Sequence, residues 1–279
     1  MSQLNQAQFE ALYNSSGSGT FATNSSNNIG SASFRAFAKD ISDSLFSMQN
    51  LNPDINYVEG DDFVFLSSAT PATTGNTPSP RFDITKGGTD GTSSVAISTF
   101  GVDNTEHALG VVGISTGTGA ANTISWKTSS TLKMGLGHSI VFKFRVAAEV
   151  LSDATNTYTM YIGLGDTTGA EPVNGVYFKY THGTNLGKYQ CVTSSASTRT
   201  ATDSGVSQTT LYKTFEMRLD SASASVVFLI DGAVVATNTT NIPSAAISGL
   251  FTIVKSAGTT ARLIDIDWYS LSIIRTSAR

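Results

Sequence analysis

The chain has 279 residues, 40% hydrophobic and only 14% charged, with 17 Lys and Arg against 21 Asp and Glu for a net charge of −4. A chain of this length buries about three quarters of its unfolded surface, so one large domain or two modest ones fit and a disordered chain does not. The charged fraction is low against a typical ~25%, Ser and Thr supply much of the polarity, and no Lys/Arg block occurs. Clustered cations for a phosphate backbone are therefore missing, and no nucleic-acid partner is expected.

Met1-Ser2-Gln3-Leu4-Asn5-Gln6 lacks a positive stretch leading into an apolar run, so no secretory signal is expected. Residues 6–13 predict a short helix with Phe9, Leu12 and Tyr13 at i, i+3, i+4 spacing, and residues 14–28 read as a Ser/Gly/Asn loop. A second helix is predicted from about residue 30 to 47, with Phe34, Phe37, Ile41 and Leu45 as its apolar stripe. Two short helices cannot bury these aromatics alone. Residues 1–53 are therefore read as an attachment and trimerisation segment, and 54–279 as a separate domain.

Beyond residue 54 the hydrophobic period changes to two. Ile140, Phe142, Phe144 and Val146 alternate with Val141, Lys143 and Arg145, which places one face in a core. Tyr158, Met160, Ile162 and Leu164 repeat the pattern, as do Val176, Phe178 and Tyr180, and Phe215, Met217 and Leu219. Asp231-Gly232 between two apolar runs predicts a type I′ hairpin, whose central residues both need positive φ. Residues 70–80, with three of the six prolines, read as a loop. Short alternating strands with no intervening helices imply a mainly β fold, an antiparallel sandwich. The longest apolar stretches, such as 226–230, are strand-sized, so no membrane span is expected. Cys191 is the sole cysteine, which rules out an internal disulfide and a Cys-based zinc site within one chain.

The run His107-Ala-Leu-Gly-Val-Val-Gly-Ile-Ser-Thr-Gly-Thr-Gly-Ala resembles a segment of bacteriophage virion proteins that carry a concanavalin A-like jelly roll. Tyr161-Ile-Gly-Leu-Gly-Asp, Asn174-Gly-Val-Tyr-Phe-Lys-Tyr and Leu263-Ile-Asp-Ile-Asp-Trp look like later strands of that domain. Leu4, Phe9, Leu12 and Tyr13, followed by Phe34-Arg35, Phe37, Asp40-Ile41 and Asp43-Ser44, are similar to the head of phage fibre proteins. Ala108 stands where the pattern has proline, and Ala120-Ala121-Asn122 where it has small-Arg-Ala. The resemblance implies a virion structural protein in the fibre or decoration class, assembled as a homotrimer and attached to other virion proteins.

Gly113-Ile-Ser115-Thr-Gly117 matches a nucleophile elbow, but the helix that should follow the serine is absent from the pattern, so the match is read as chance. The six glutamates are never close in sequence, and the E-x-D-x-x-E arrangement of sandwich glycanases is missing. No enzymatic activity and no cofactor are expected. Asp265 and Asp267 alternate with Ile264, Ile266 and Trp268, so they are expected on a solvated or hydrogen-bonded outer face, with a calcium or catalytic role as the alternative. Trp126 and Trp268 are both expected in the core. His107, His138 and His182 lack metal-ligand spacing, and His107 is read as a structural turn residue. His182-Gly-Thr-Asn185-Leu-Gly187 predicts a hairpin tip of suitable polarity for sugar, with His182 and Asn185 as candidate glycan contacts. The leading expectation is a virion structural protein. The alternative is a carbohydrate-binding adhesin that recognises host-surface or mucosal glycans, and a glycan hydrolase ranks third.

Overall fold

A computed structural model describes residues 56–61, 77–78, 82–88, 94–98, 111–128, 132–133, 138–220 and 224–275. All belong to the second of two units into which the chain divides, Met1–Asn52 and Pro53–Arg279. The expected helices, with Phe9, Leu12, Tyr13, Phe34, Phe37, Ile41 and Leu45, lie outside the described residues, as does His107.

The alternating segments form strands β1 (Asn56–Asp61), β2 (Thr77–Pro78), β3 (Phe82–Gly87), β4 (Ser94–Ser98), β5 (Val111–Ser115), β6 (Thr123–Thr128), β7 (Leu132–Lys133), β8 (His138–Ala148) and β9 (Tyr158–Gly165). They continue as β10 (Gly175–Thr181), β11 (Lys188–Ser195), β12 (Thr198–Ser207), β13 (Lys213–Asp220), β14 (Ser225–Ile230), β15 (Ala233–Asn238), β16 (Ala246–Lys255) and β17 (Leu263–Arg275). One sheet runs β15-β14-β13-β8-β17-β5-β4 with β1 also on β17, and the other runs β12-β11-β10-β9-β16-β6-β3-β2 with β7 on β16. Thr77 and Pro78 pair with Ile84 and Asp83, so part of the expected 70–80 loop is an edge strand, a position where proline is tolerated. The first sheet is called A below and the second B.

Every inward position anticipated on β8, β9, β10 and β13 is buried. The core is aromatic at its centre. Phe144 of sheet A stacks on Phe215 at 5.4 Å and meets Phe251 of sheet B at 5.1 Å with the ring planes 86° apart. Trp126 gathers Phe82, Phe251 and Tyr269 at 4.8, 5.3 and 5.5 Å. Such edge-to-face pairs add about 0.5–1.5 kcal/mol each beyond buried area. The Asp231-Gly232 turn has φ of 51° and 81°, as the hairpin pattern requires.

Register shifts interrupt the alternation at the β11–β12 and β14–β15 pairings and in β17, where the shift bears on an expected core residue. The register with β8 slips between Ile266 and Trp268, which pairs with Arg145, so Asp267 is the extra residue of a β-bulge. After the bulge the inward positions are Tyr269 and Leu271, and Trp268 is half-buried outside the core. The expected core role of Trp268 is thus corrected, because strict alternation cannot see an inserted residue.

Because Phe144 touches both sheets, Phe144→Ala is expected to destabilise the domain by about 3–5 kcal/mol in urea unfolding. A loss under 1 kcal/mol would show that the sheets close elsewhere.

Candidate functional site

The antiparallel registers bring the turns after β5, β8, β10, β12, β14 and β16 to one end of the sandwich. Hydrogen bonds join three of these loops, those after β5, β8 and β16. Arg262, 1% exposed, donates from Nη2 to Asp153 Oδ2 at 2.6 Å, and its backbone N–H donates to Thr116 Oγ1 at 3.0 Å. Lys255 Nζ, also buried, donates to the carbonyls of Gly117 and Thr118 at 3.2 and 3.3 Å. Asn122 Nδ2 donates to the Thr116 carbonyl at 2.8 Å. The Ser-Thr-Gly-Thr-Gly run is therefore a clamped connector between the sheets. Ser115 Oγ accepts from the Gly117 N–H at 3.2 Å, and no helix follows it, so the elbow geometry is absent.

At the β10–β11 hairpin the chain passes through four left-handed residues, Gly183, Asn185, Leu186 and Gly187, with φ of 68°, 52°, 53° and 75°. Glycine and asparagine accept this conformation, but a left-handed leucine costs about 1–2 kcal/mol. Leu186 is nonetheless 89% exposed and contributes nothing to the core. Asn185 Nδ2 donates to Asp203 Oδ1 at 2.9 Å and to the Tyr189 carbonyl at 3.3 Å. The Gly205 N–H donates to the same Oδ1 at 2.8 Å, and Lys188 Nζ lies 3.6 Å from Oδ2. The Gly205 N–H above all, then Asn185 and Lys188, hold the Asp203 carboxyl below the usual carboxylate range. The result is a fixed, ionised acceptor bonded to Asn185, the chain neighbour of an exposed apolar side chain. His182, half-buried, shares the turn, and its backbone N–H is taken by the Tyr158 carbonyl at 3.3 Å.

Sequence reading singled out His182 and Asn185 but missed Asp203, Lys188 and Leu186. Asp203 lies 18 residues from Asn185, and only the β11–β12 pairing unites them. The Gly-x-Asn-x-Gly spacing, read in the sequence only as a hairpin tip, is also the pattern of left-handed backbone that could have marked the leucine inside it.

Asp265 and Asp267 do not occupy a solvated face, since they are 4% and 5% exposed. Asp267 pairs with Arg145, whose Nη1 donates to Oδ2 at 2.5 Å and whose guanidinium carbon lies 4.4 Å from the centre of the Tyr212 ring. Val111, Ala147 and Tyr212 form an apolar cluster of their own beside the main core. Asp265 shares a hydrogen bond with Glu149, and burial, reinforced by the Glu149 charge, pushes its carboxyl up to about 8. Among the described residues no three His, Cys, Asp or Glu side chains gather to hold a metal.

Sheet B carries a second ionic cluster on its outer side. Glu171 receives Lys179 Nζ at 3.0 and 2.9 Å and the Tyr177 hydroxyl at 3.0 Å, with Arg199 Nε at 3.3 Å. Arg199 Nη2 also donates to the Pro172 carbonyl at 3.2 Å. A side chain at Gly165 would come within 2.9 Å of Pro172 and Leu250, so glycine there lets the β9–β10 loop lie on the sheet. Every polar atom named in this cluster faces another group of the same loop and sheet, so it reads as a latch.

Residues 107–267, more than half of the chain, match the family model described as SO2946-like, C-terminal domain. The solved protein of unknown function SO2946 from Shewanella oneidensis MR-1 is similar with a TM-score of 0.53 and 14% identity over 81% of this chain and 89% of that one. The Emp47p carbohydrate recognition domain has a TM-score of 0.47 with 10% identity over 80% of this chain and 96% of that chain. Peanut lectin has a TM-score of 0.48 with 9% identity over 78% of this chain and 97% of that chain. No curated protein matches the sequence. The fold is a concanavalin A-like jelly-roll sandwich, as the sequence implied.

The Glu149–Asp265 pair makes stability depend on pH with a definite sign. Below about 4 both folded and unfolded chains hold the Asp265 proton, and between there and about 8 only the folded chain does. Stability from this pair is therefore full in acid and lost as pH rises through that window, by at most about 1.4 kcal/mol per unit. Asp265→Asn is expected to flatten this component in denaturant titrations at several pH values. An unchanged slope in the variant would show that burial does not raise the Asp265 carboxyl.

Proposed function

We propose that this chain, which belongs to the SO2946-like, C-terminal domain family, is a non-enzymatic, carbohydrate-binding display protein of a bacteriophage-type virion. The observation that carries the binding role is the loop-end constellation of Asn185, Leu186 and Asp203. Sugars need hydrogen-bond acceptors fixed in advance and an apolar surface beside them, on a scaffold that loses little entropy when they bind. The Asp203 carboxylate, held through its Oδ1 by Asn185 and Gly205, supplies the first, and Leu186 the second.

The virion role rests on the resemblance of residues 107–120 and of the N-terminal segment to phage fibre proteins. In this reading Phe9, Leu12, Tyr13, Phe34, Phe37, Ile41 and Leu45 anchor the chain to other virion proteins and assemble it as a homotrimer. The sandwich is then the part presented to host-surface glycans. Hydrolysis is no part of the proposal. Glu149 and Asp265 share a hydrogen bond, whereas the carboxyls of glycoside hydrolases stand about 5–9.5 Å apart with the scissile bond between them.

The full chain on a glycan array is expected to bind a defined set of sugars, and Asp203→Ala to lose at least about tenfold in affinity for them. Undiminished binding by the variant would remove the loop end from the site. Light scattering at micromolar concentration is expected to give a trimer, and a monomer would contradict the fibre-type assembly.

A further inference from the structure

The left-handed leucine at the hairpin tip demands its own explanation. Leu186 follows Asn185 directly, and the Gln208 N–H donates to the Gly187 carbonyl at 3.0 Å, which brings the β12–β13 loop alongside. That loop carries Leu211, 53% exposed. Asparagine or glycine at 186 would relieve the backbone, and serine or threonine would suit the solvent. A strained backbone under an exposed aliphatic side chain, one residue from the asparagine that holds a carboxylate, is the pattern of a residue kept for contact.

The apolar surface at this end has a particular chemistry. Tyr158, Tyr180, Tyr189 and Tyr212 are all buried, so among the described residues the end presents no exposed tyrosine, phenylalanine or tryptophan ring on which a pyranose face could stack. It presents aliphatic branches of the size of a methyl group. Within reach of them through Asn185 stands Asp203, an acceptor suited to a sugar hydroxyl or to an amide N–H. Resting on the carbohydrate-binding reading above, we propose that Leu186 is a ligand-contacting residue that selects glycans with an exposed methyl group, as in N-acetylated and 6-deoxy sugars.

The test uses matched pairs on the full chain, N-acetylglucosamine against glucosamine and 6-deoxygalactose against galactose, each displayed on the same array and titrated for affinity. Wild type is expected to prefer the methyl-bearing member of at least one pair by about tenfold. Leu186→Asn is expected to lose that preference while its melting temperature stays level or rises by roughly 2–4 °C, because asparagine tolerates the left-handed backbone. A merely structural leucine would show the opposite split, with a lower melting temperature and an intact preference. Glycan binding with no preference in wild type, or a preference that survives Leu186→Asn, overturns the role of Leu186 and leaves the loop-end site standing. No binding to any glycan overturns both.

Discussion

The perpendicular contact between Phe144 and Phe251 joins the two sheets at the centre of the core, and the placement of the loops at the candidate end depends on the registers it helps to fix. Each ring sits mid-strand at an inward position, so the residues before and after it must alternate inward and outward to satisfy the same core. Shifting either strand by one residue would turn its whole apolar set toward solvent. With the registers fixed in this way, the strand ends are fixed too, and six turns collect at one end of the sandwich. Buried Arg262 and Lys255 then tie three of those turns, the ones after β5, β8 and β16, to one another through backbone carbonyls, a hydroxyl and the Asp153 carboxylate. The candidate site is held by bonds of its own, the His182 N–H on the Tyr158 carbonyl, the Gln208 N–H on the Gly187 carbonyl and Asn185 on Asp203.

How much of this was legible in the sequence depends on the range over which each feature is encoded. Alternation is local, so the inward residues of β8, β9, β10 and β13 and the Asp231-Gly232 turn could be read directly. The bulge at Asp267 could not, because nothing in Ile264-Asp-Ile-Asp-Trp268 marks an inserted residue, and the error moved Trp268 to the wrong face. Burial of Asp265 and Asp267 was hidden for a related reason. Their partners, Arg145 on β8 and Glu149 just beyond its end, lie more than a hundred residues away, and only the β8–β17 pairing shows that an outward carboxylate can still be enclosed.

The candidate site was half visible. Turn-forming residues exposed the tip around His182 and Asn185, whereas Asp203 entered only through the neighbouring hairpin, and leucine is not a residue that sequence rules associate with left-handed backbone. The Ser-Thr-Gly-Thr-Gly run shows the reverse case. It drew notice as a possible nucleophile motif, yet its hydroxyls and carbonyls serve the clamp between sheets. Two carboxylates held differently, Asp203 ionised and fixed by donors, Asp265 protonated against Glu149, illustrate how environment assigns them separate work.

The most direct test of the loop-end site is hydrogen exchange on the full chain with and without N-acetylglucosamine and 6-deoxygalactose at millimolar concentration. The account predicts added protection confined to residues 181–189 and 202–212, where the two hairpins and the following loop meet. Protection on the outer faces of the sheets with none at the loop end would contradict it.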